Sequence, residues 1–330
     1  MIKNLCAFSV YMIILMTAAH VSAQSVYQDR LAHTYSIVAR DKATGEMGVA
    51  VQSHWFSVGS IVSWAEAGAG AIATQSFVNV SFGPRGLELL RQGKSARDVL
   101  NALIESDEGR DVRQLAIIDS KGNVAAYTGS KCIPDAGHTT GDNFSVQANL
   151  MLNARVWPEM ANAFRSTEGP LAERMIAALE AGQNAGGDIR GRQSAAILIV
   201  KGESSGKVWE DRLIDLRVED HPEPVVELKR VLKTYRAYEF MNQGDLAMER
   251  NDIPEALRLY SAAEAMFPEN LEMKFWHAVS LVNSGDVDAS LPIFMEIFEK
   301  DENWRILTKR LPGVGLLQID ANDLQRIMSH

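Results

Sequence analysis

Between residues 34 and 218, short apolar or alternating runs are separated by turn residues and interrupted by stretches with apolar positions three and four apart. Runs at 34–40 and 46–53 flank Asp41-Lys42-Ala43-Thr44-Gly45, whose closing glycine supplies turn chemistry, so this segment predicts a hairpin. Runs at 60–66 and 70–75 around Ala67-Gly68-Ala69 predict a second pair. Pro84 opens a helix to Gln92 and Ser95 caps another reaching Ile104; Leu87 with Leu90, and Val99 with Leu103, give each one apolar face. A third strand pair is predicted at 112–119 and 123–128. Helices follow at 158–164 and 171–181, the second ended by Gly182, and strands at 194–201 and 209–218 close the region. Blocks of strands and helices without strict alternation define an α+β fold with mostly antiparallel pairing.

Past residue 220 the pattern changes. His221-Pro222-Glu223-Pro224 breaks the chain, because each proline biases its predecessor away from helix, and 221–234 reads as a linker and connecting helix. Helical periodicity then fills 235–304 and repeats: Asn251-Asp252, Ala256, Tyr260 and Ala263 are echoed 34 positions later by Gly285-Asp286, Ser290, Phe294 and Ile297. This spacing resembles the tetratricopeptide repeat (TPR), whose paired helices bury small residues between them. Two copies fall short of the roughly three that stand alone, so the segment is expected to lean on the first domain or on a partner. Residues 305–330 read as a C-terminal tail.

With 330 residues, 46% of them hydrophobic and 23% charged, the chain is long enough for two domains and is neither disordered nor collagen-like. A net charge of -9 without a basic block makes nucleic acid and anionic lipid poor partners. Lys3, an apolar run over 5–19 and Val21-Ser22-Ala23 together read as a secretory signal, 1–23, cleaved after Ala23. The run is shorter than the roughly 20 residues that span a bilayer, so no stable membrane insertion is expected. The protein is read as exported: periplasmic in a two-membrane bacterium, otherwise extracellular. Cys6 lies in the leader, which leaves Cys132 as the single cysteine of the mature chain and excludes an intramolecular disulfide.

Gly186-Gly187-Asp188-Ile189-Arg190-Gly191 has neither the ending of a phosphate loop nor the spacing of a dinucleotide fingerprint. The mature histidines, at 33, 54, 138, 221, 277 and 330, show no zinc-binding spacing, and Cys-x-x-Cys does not occur. No metal and no cofactor is predicted.

Several separated motifs carry a resemblance: Thr34-Tyr35-Ser36-Ile37-Val38-Ala39-Arg40-Asp41, Gly48-Val49-Ala50-Val51-Gln52-Ser53, Gly83-Pro84-Arg85-Gly86, Cys132-Ile133-Pro134, Phe144-Ser145-Val146-Gln147 and Gly191-Arg192-Gln193-Ser194. In this order they resemble the domain of unknown function 1028 (DUF1028) family, which is grouped with the N-terminal nucleophile (Ntn) hydrolases. The resemblance spans roughly 34–220. It implies a four-layer αββα sandwich, and a nucleophile at the first residue of the mature domain, which here matches Thr34.

A terminal threonine suffices for such chemistry because its own α-amine, with a pKa of about 7.7 to 8.0, takes the hydroxyl proton. The implied substrate is a small peptide or amide. Asp41 and Arg192 are candidates to orient the amine and offset charge; Gln75, Asn149 and Gln193 are candidates for oxyanion or substrate contacts. Ten residues, 24–33, separate the expected signal cleavage from Thr34, so the reading requires scission of the His33–Thr34 bond. Each candidate also has a structural role open to it: Thr34 as a β-branched residue opening a strand, Asp41 as a turn cap, Arg192 in an ion pair, the three amides as buried partners of backbone groups. Cys132, with Asp135 and His138 nearby in sequence, is an alternative nucleophile. Two functions follow: an exported amidohydrolase or peptidase of the Ntn type, or a non-catalytic adaptor that uses its TPR-like helices to bind another exported protein.

Overall fold

The structure, a computed structural model, describes residues 30–329; the leader read at 1–23 and residues 24–29 of the extension lie outside the described residues. In chain order, β1 (Arg30–Ala32), β2 (Thr34–Arg40) and β3 (Met47–Ser53) precede the one-turn helix α1 (Gly59–Val62), β4 (Ser63–Glu66) and β5 (Gly70–Val78). Helices α2 (Phe82–Arg91) and α3 (Ala96–Glu105) lead to β6 (Arg113–Asp119), β7 (Val124–Thr128), β8 (Gly137–Gly141) and β9 (Phe144–Ala148). Then come α4 (Val156–Ser166), α5 (Leu171–Asn184), β10 (Ser194–Val200), the short α6 (Val208–Asp211) and β11 (Arg212–Val218). The remainder is helical: α7 (Pro224–Glu249), α8 (Ile253–Met266), α9 (Leu271–Asn283), α10 (Val287–Lys300), α11 (Asn303–Arg310) and α12 (Ala321–Met328).

The strands form two antiparallel sheets. One runs β1-β5-β6-β7, with β4 also on β5; the other runs β11-β10-β3-β2-β9-β8. Side-chain alternation along β2 divides its neighbours between two cores. Tyr35, Ile37 and Ala39 pack with residues of α4 and α5 such as Met160 and Leu179, whereas Val38, with Val49 and Val51, meets Ala71, Ala73 and Ile118 of the other sheet. On that sheet's far side, Ile72, Leu115 and Ile117 pack against Leu87, Val99 and Leu103 of α2 and α3.

The predicted first hairpin forms, and its turn explains itself: the Asp41 carboxylate accepts the Ala43 and Thr44 amides at 2.8 and 3.0 Å, and Gly45 takes φ +76°. Ser95 caps α3 by accepting the Asp98 amide. Gly182, expected to end its helix, lies inside α5 instead. A Cβ there would stand 2.9 Å from Met160 Cγ and 3.2 Å from Tyr35, so the glycine permits close packing of α5 on α4 and β2. The hairpin β8–β9 was not signalled in the pattern, since β8 is half-exposed Gly-His-Thr-Thr-Gly without an apolar face.

The segment 221–234, expected as a linker and connecting helix, is mostly helix. Pro224 sits in the first turn of α7, which runs unbroken past 234. Val225, Leu228 and Leu232 join the core shared by the six-stranded sheet with α4 and α5, and Tyr235 donates to the Leu213 carbonyl at 2.5 Å. The first unit therefore extends into α7, and α7 continues into the helical part. There α10 starts 34 positions after α8, each capped by an aspartate, Asp252 and Asp286. Within residues 305–329, read as part of a tail, Leu311, Leu317 and Ile327 are buried with Phe275, Phe294 and Phe298. Among the described residues no helix is long and apolar enough to cross a membrane.

Candidate functional site

Three strand ends meet at Thr34. It opens β2 opposite Ser53, the last residue of β3, which in turn pairs with Ser194, the first of β10. Thr34 is fully buried and its Oγ1 donates to the Ala32 carbonyl at 2.8 Å. Its nitrogen is an amide joined to His33, and β1 just upstream is hydrogen-bonded along β5, Ala32 opposite Ser76 and Arg30 opposite Val78.

The His33 carbonyl, the one preceding Thr34, lies between two side-chain donors. Ser53 Oγ donates to it at 2.5 Å and Arg190 Nη2 at 2.7 Å. Arg190 is held in place by Asp188, through Nε at 3.0 Å and Nη2 at 2.7 Å. The buried Asp188 carboxylate also accepts the main-chain amides of Arg190 and His54, at 2.9 and 3.2 Å. A fixed, charge-assisted donor beside a hydroxyl is the arrangement that stabilises negative charge developing on a carbonyl oxygen. The His33 ring is buried, its Nδ1 2.8 Å from Asn149 Oδ1 and its edge against Phe77 at 5.6 Å between centroids. Burial holds its pKa below 6.5, assisted by Arg190 and opposed by the Asn149 bond and Asp188, so the neutral imidazole donates from Nδ1.

Beneath Thr34 a buried amide network grips the next carbonyl. Gln75 Nε2 donates to the Thr34 carbonyl at 3.1 Å and to Gln114 Oε1 at 2.6 Å. Asn149 Nδ2 donates to Gln114 Oε1 at 2.9 Å and more weakly to the Thr34 carbonyl at 3.4 Å. Ser36 donates to Gln75 Oε1 at 2.6 Å. Two consecutive peptide carbonyls are thus held by side chains from four separated positions, Ser53, Arg190, Gln75 and Asn149.

Of the residues singled out from the sequence, Thr34, Gln75 and Asn149 come together. Gln193 flanks them through its main chain, its amide on the Ser53 carbonyl at 3.1 Å and its own carbonyl accepting from His221 at 2.7 Å. Asp41 does not join them: it lies at the far end of β2, roughly 20 Å away at about 3.3 Å per residue, committed to its turn and to Arg174 at 3.2 Å. Arg192 is corrected too. It pairs with Glu223 at the rim of a cavity of about 320 Å³ lined also by Glu180, Gln183 and Asn184, and Arg190 takes the place at the His33 carbonyl. Cys132 and His138 form no nucleophile pair. The thiol faces the Arg113 carbonyl at 3.3 Å and burial pushes its pKa up, while the imidazole Nδ1 bonds Thr128 Oγ1 at 2.8 Å.

Ser53, Gln114, Asp188 and Arg190 were missed. A signal for the last two was present: the glycine-rich segment set aside for lacking a nucleotide fingerprint leads directly into β10, whose first residue aligns with Ser53 and Thr34. Among the described residues no group of three or more His, Cys, Asp or Glu side chains is placed to hold a metal ion.

The sequence from 34 to 228 matches the family described as "Family of unknown function (DUF1028)". The chain belongs to this family. It is also similar to the crystal structure of protein SPO2555 from Silicibacter pomeroyi, itself described under DUF1028, at 31% identity and a TM-score of 0.56, with 61% of this chain and 85% of that chain covered. No functionally curated protein matches the chain.

Proposed function

We propose that the protein is an exported Ntn-type hydrolase acting on an amide or peptide bond, with Thr34 as nucleophile once the His33–Thr34 bond is cut. The observation that carries this reading is the grip of Ser53 and Arg190 on the carbonyl immediately before Thr34. A buried main-chain carbonyl needs one ordinary partner; a hydroxyl and a carboxylate-anchored guanidinium together exceed that need. Two further facts support it. The family match begins at Thr34 itself, and the succession of cores, helices on sheet, sheet on sheet, sheet on helices, is what an αββα sandwich requires.

In the proposed self-cleavage the Thr34 hydroxyl attacks the His33 carbonyl carbon, and the resulting oxyanion rests on Ser53 and Arg190. The carbon–nitrogen bond then breaks, the proton given up by the Thr34 hydroxyl passes directly or through water to the nitrogen to make the Thr34 amine, and the His33 ester left on Oγ1 is hydrolysed by water. The freed amine is the base for later turnovers, and the same two donors serve each substrate's acyl oxygen.

The alternative, a non-catalytic binding protein that uses its TPR-like helices as an adaptor surface, is favoured by one feature: β1 is paired along β5 and encloses Thr34. Sequencing the N-terminus of wild type and Thr34→Ala from the exported fraction separates the two. Wild type starting at Thr34, with the variant retaining His33, is the expected result; identical upstream termini in both would favour the adaptor.

A further inference from the structure

β1 and His33 occupy the ground that the acyl half of a substrate must occupy, since their carbonyl sits on the proposed oxyanion donors. We infer that the extension is a template for the substrate: an extended peptide pairing along β5, with a small residue followed by histidine on the acyl side of the bond that is cut. This rests on the Thr34 reading above and adds the substrate class to it.

Each position of the template has a physical reason. Leu31 opposite Phe77 and Ala32 opposite Ser76 set an antiparallel register along β5, so once the extension leaves, this stretch of β5 offers main-chain partners to any extended peptide whatever its sequence. Selectivity comes from the side chains. Ala32 is fully buried in the core between the sheets, packed with residues such as Val51 and Val78, which admits a methyl-sized group and rejects a large one. Leu31 is 42% exposed and its position tolerates variation.

His33 fills the discriminating pocket. Asn149 Oδ1 faces Nδ1 as an acceptor, and Asn149 cannot readily turn its amide round, because Nδ2 is engaged by Gln114 Oε1 at 2.9 Å. The pocket therefore demands a donor on the incoming side chain, from a flat ring whose rim packs against Phe77. An unprotonated imidazole meets both conditions. When the extension departs, the Asn149 acceptor is left without its partner in a buried site, and a substrate lacking the donor leaves it so. Sites of this kind discriminate far more strongly than hydrophobic pockets do.

The test uses the full-length wild-type protein, first shown by mass spectrometry to begin at Thr34. Acetyl-Arg-Leu-Ala-His coupled to aminomethylcoumarin is compared with peptides in which histidine is replaced by phenylalanine, by Nδ1-methylhistidine or by Nε2-methylhistidine, and with one carrying tryptophan in place of alanine. Fluorophore release from the histidine peptide is expected to be roughly a hundred-fold or more faster than from the phenylalanine and Nδ1-methyl peptides. The Nε2-methyl peptide keeps the donor and should retain most of the rate, and the tryptophan peptide should be poor. A protein with Thr34 free that cuts none of these, or cuts all alike, overturns the template while leaving the nucleophile reading standing. A protein that keeps its extension and cuts none overturns both.

Discussion

The two ends of β2 lie on one strand and are held in opposite ways. At the Arg40–Asp41 end the sequence serves its own turn: Asp41 accepts amides two and three residues on. Around it Arg40 Nε and Arg174 Nε are buried without a hydrogen-bond partner among the described residues, beside an open cavity of about 450 Å³. At the Thr34 end the partners arrive from β3, β5, the residue after β9 and the loop before β10 and converge on two carbonyls, with Gln114 of β6 accepting from two of them. A local turn needs only its own residues, whereas such convergence has to be built by the whole fold. That asymmetry, more than any single contact, is why the Thr34 end is the candidate site.

The largest expected effect is at Arg190. Arg190→Ala removes one oxyanion donor and should slow His33–Thr34 cleavage by about a hundred-fold or more, followed as the mass change over time. The same change leaves Asp188 charged and buried without its ion pair, at a cost of about 3 kcal/mol in urea unfolding; an unaltered cleavage rate would mean that Arg190 only supports the loop. Asp41→Ala at the other end should cost about 1 kcal/mol, the worth of its turn bonds, and leave cleavage untouched. Slowed cleavage there would restore Asp41 to the site.

The smallest effect lies in pH, and the two ends titrate in separate windows. His33 is held below 6.5, so the unfolded chain takes up its proton first, and stability is full above about pH 6.5 and declines as pH falls from there through the folded value. For Asp41, burial alone would raise the pKa, but the Thr44 and Ala43 amides and Arg174 bring it below 3.8; its contribution is present above about pH 3.8 and is lost only on further acidification. In the uncleaved Thr34→Ala chain, adding His33→Gln should shrink the upper window, to which His138 also contributes, and leave the lower one in place. An unchanged profile would show that His33 is not the group responsible.

Much of the fold was legible because its signals are local. Gly45 and Asp41 announce a turn, Ser95 a helix start, and alternation assigns the faces of β2 and β3. The β8–β9 hairpin was not, because a half-exposed strand of glycine, histidine and threonine has no apolar rhythm. Gly182 misled because a helix-breaking residue was retained for close approach. In the site, Thr34 was found through the family motif, and Gln75 and Asn149 were named only as candidate amide contacts. Asp41 could have been discounted by counting residues along an extended strand. For Asp188 and Arg190 the glycine-rich segment was a visible signal of place but not of role: the role depends on which strand the loop feeds and on the register of that strand against β3, and neither is written in the loop's own residues.

Helix α7, 26 residues and about 39 Å long at 1.5 Å per residue, is shared by both halves of the molecule. Its first turns are welded into the sheet-bearing half by Val225, Leu228 and Leu232, and its last turns lie in the other half through Ala237, Met241 and Ala247. One continuous helix joins them. A displacement of one half against the other would therefore have to bend this helix or unpack one of its ends.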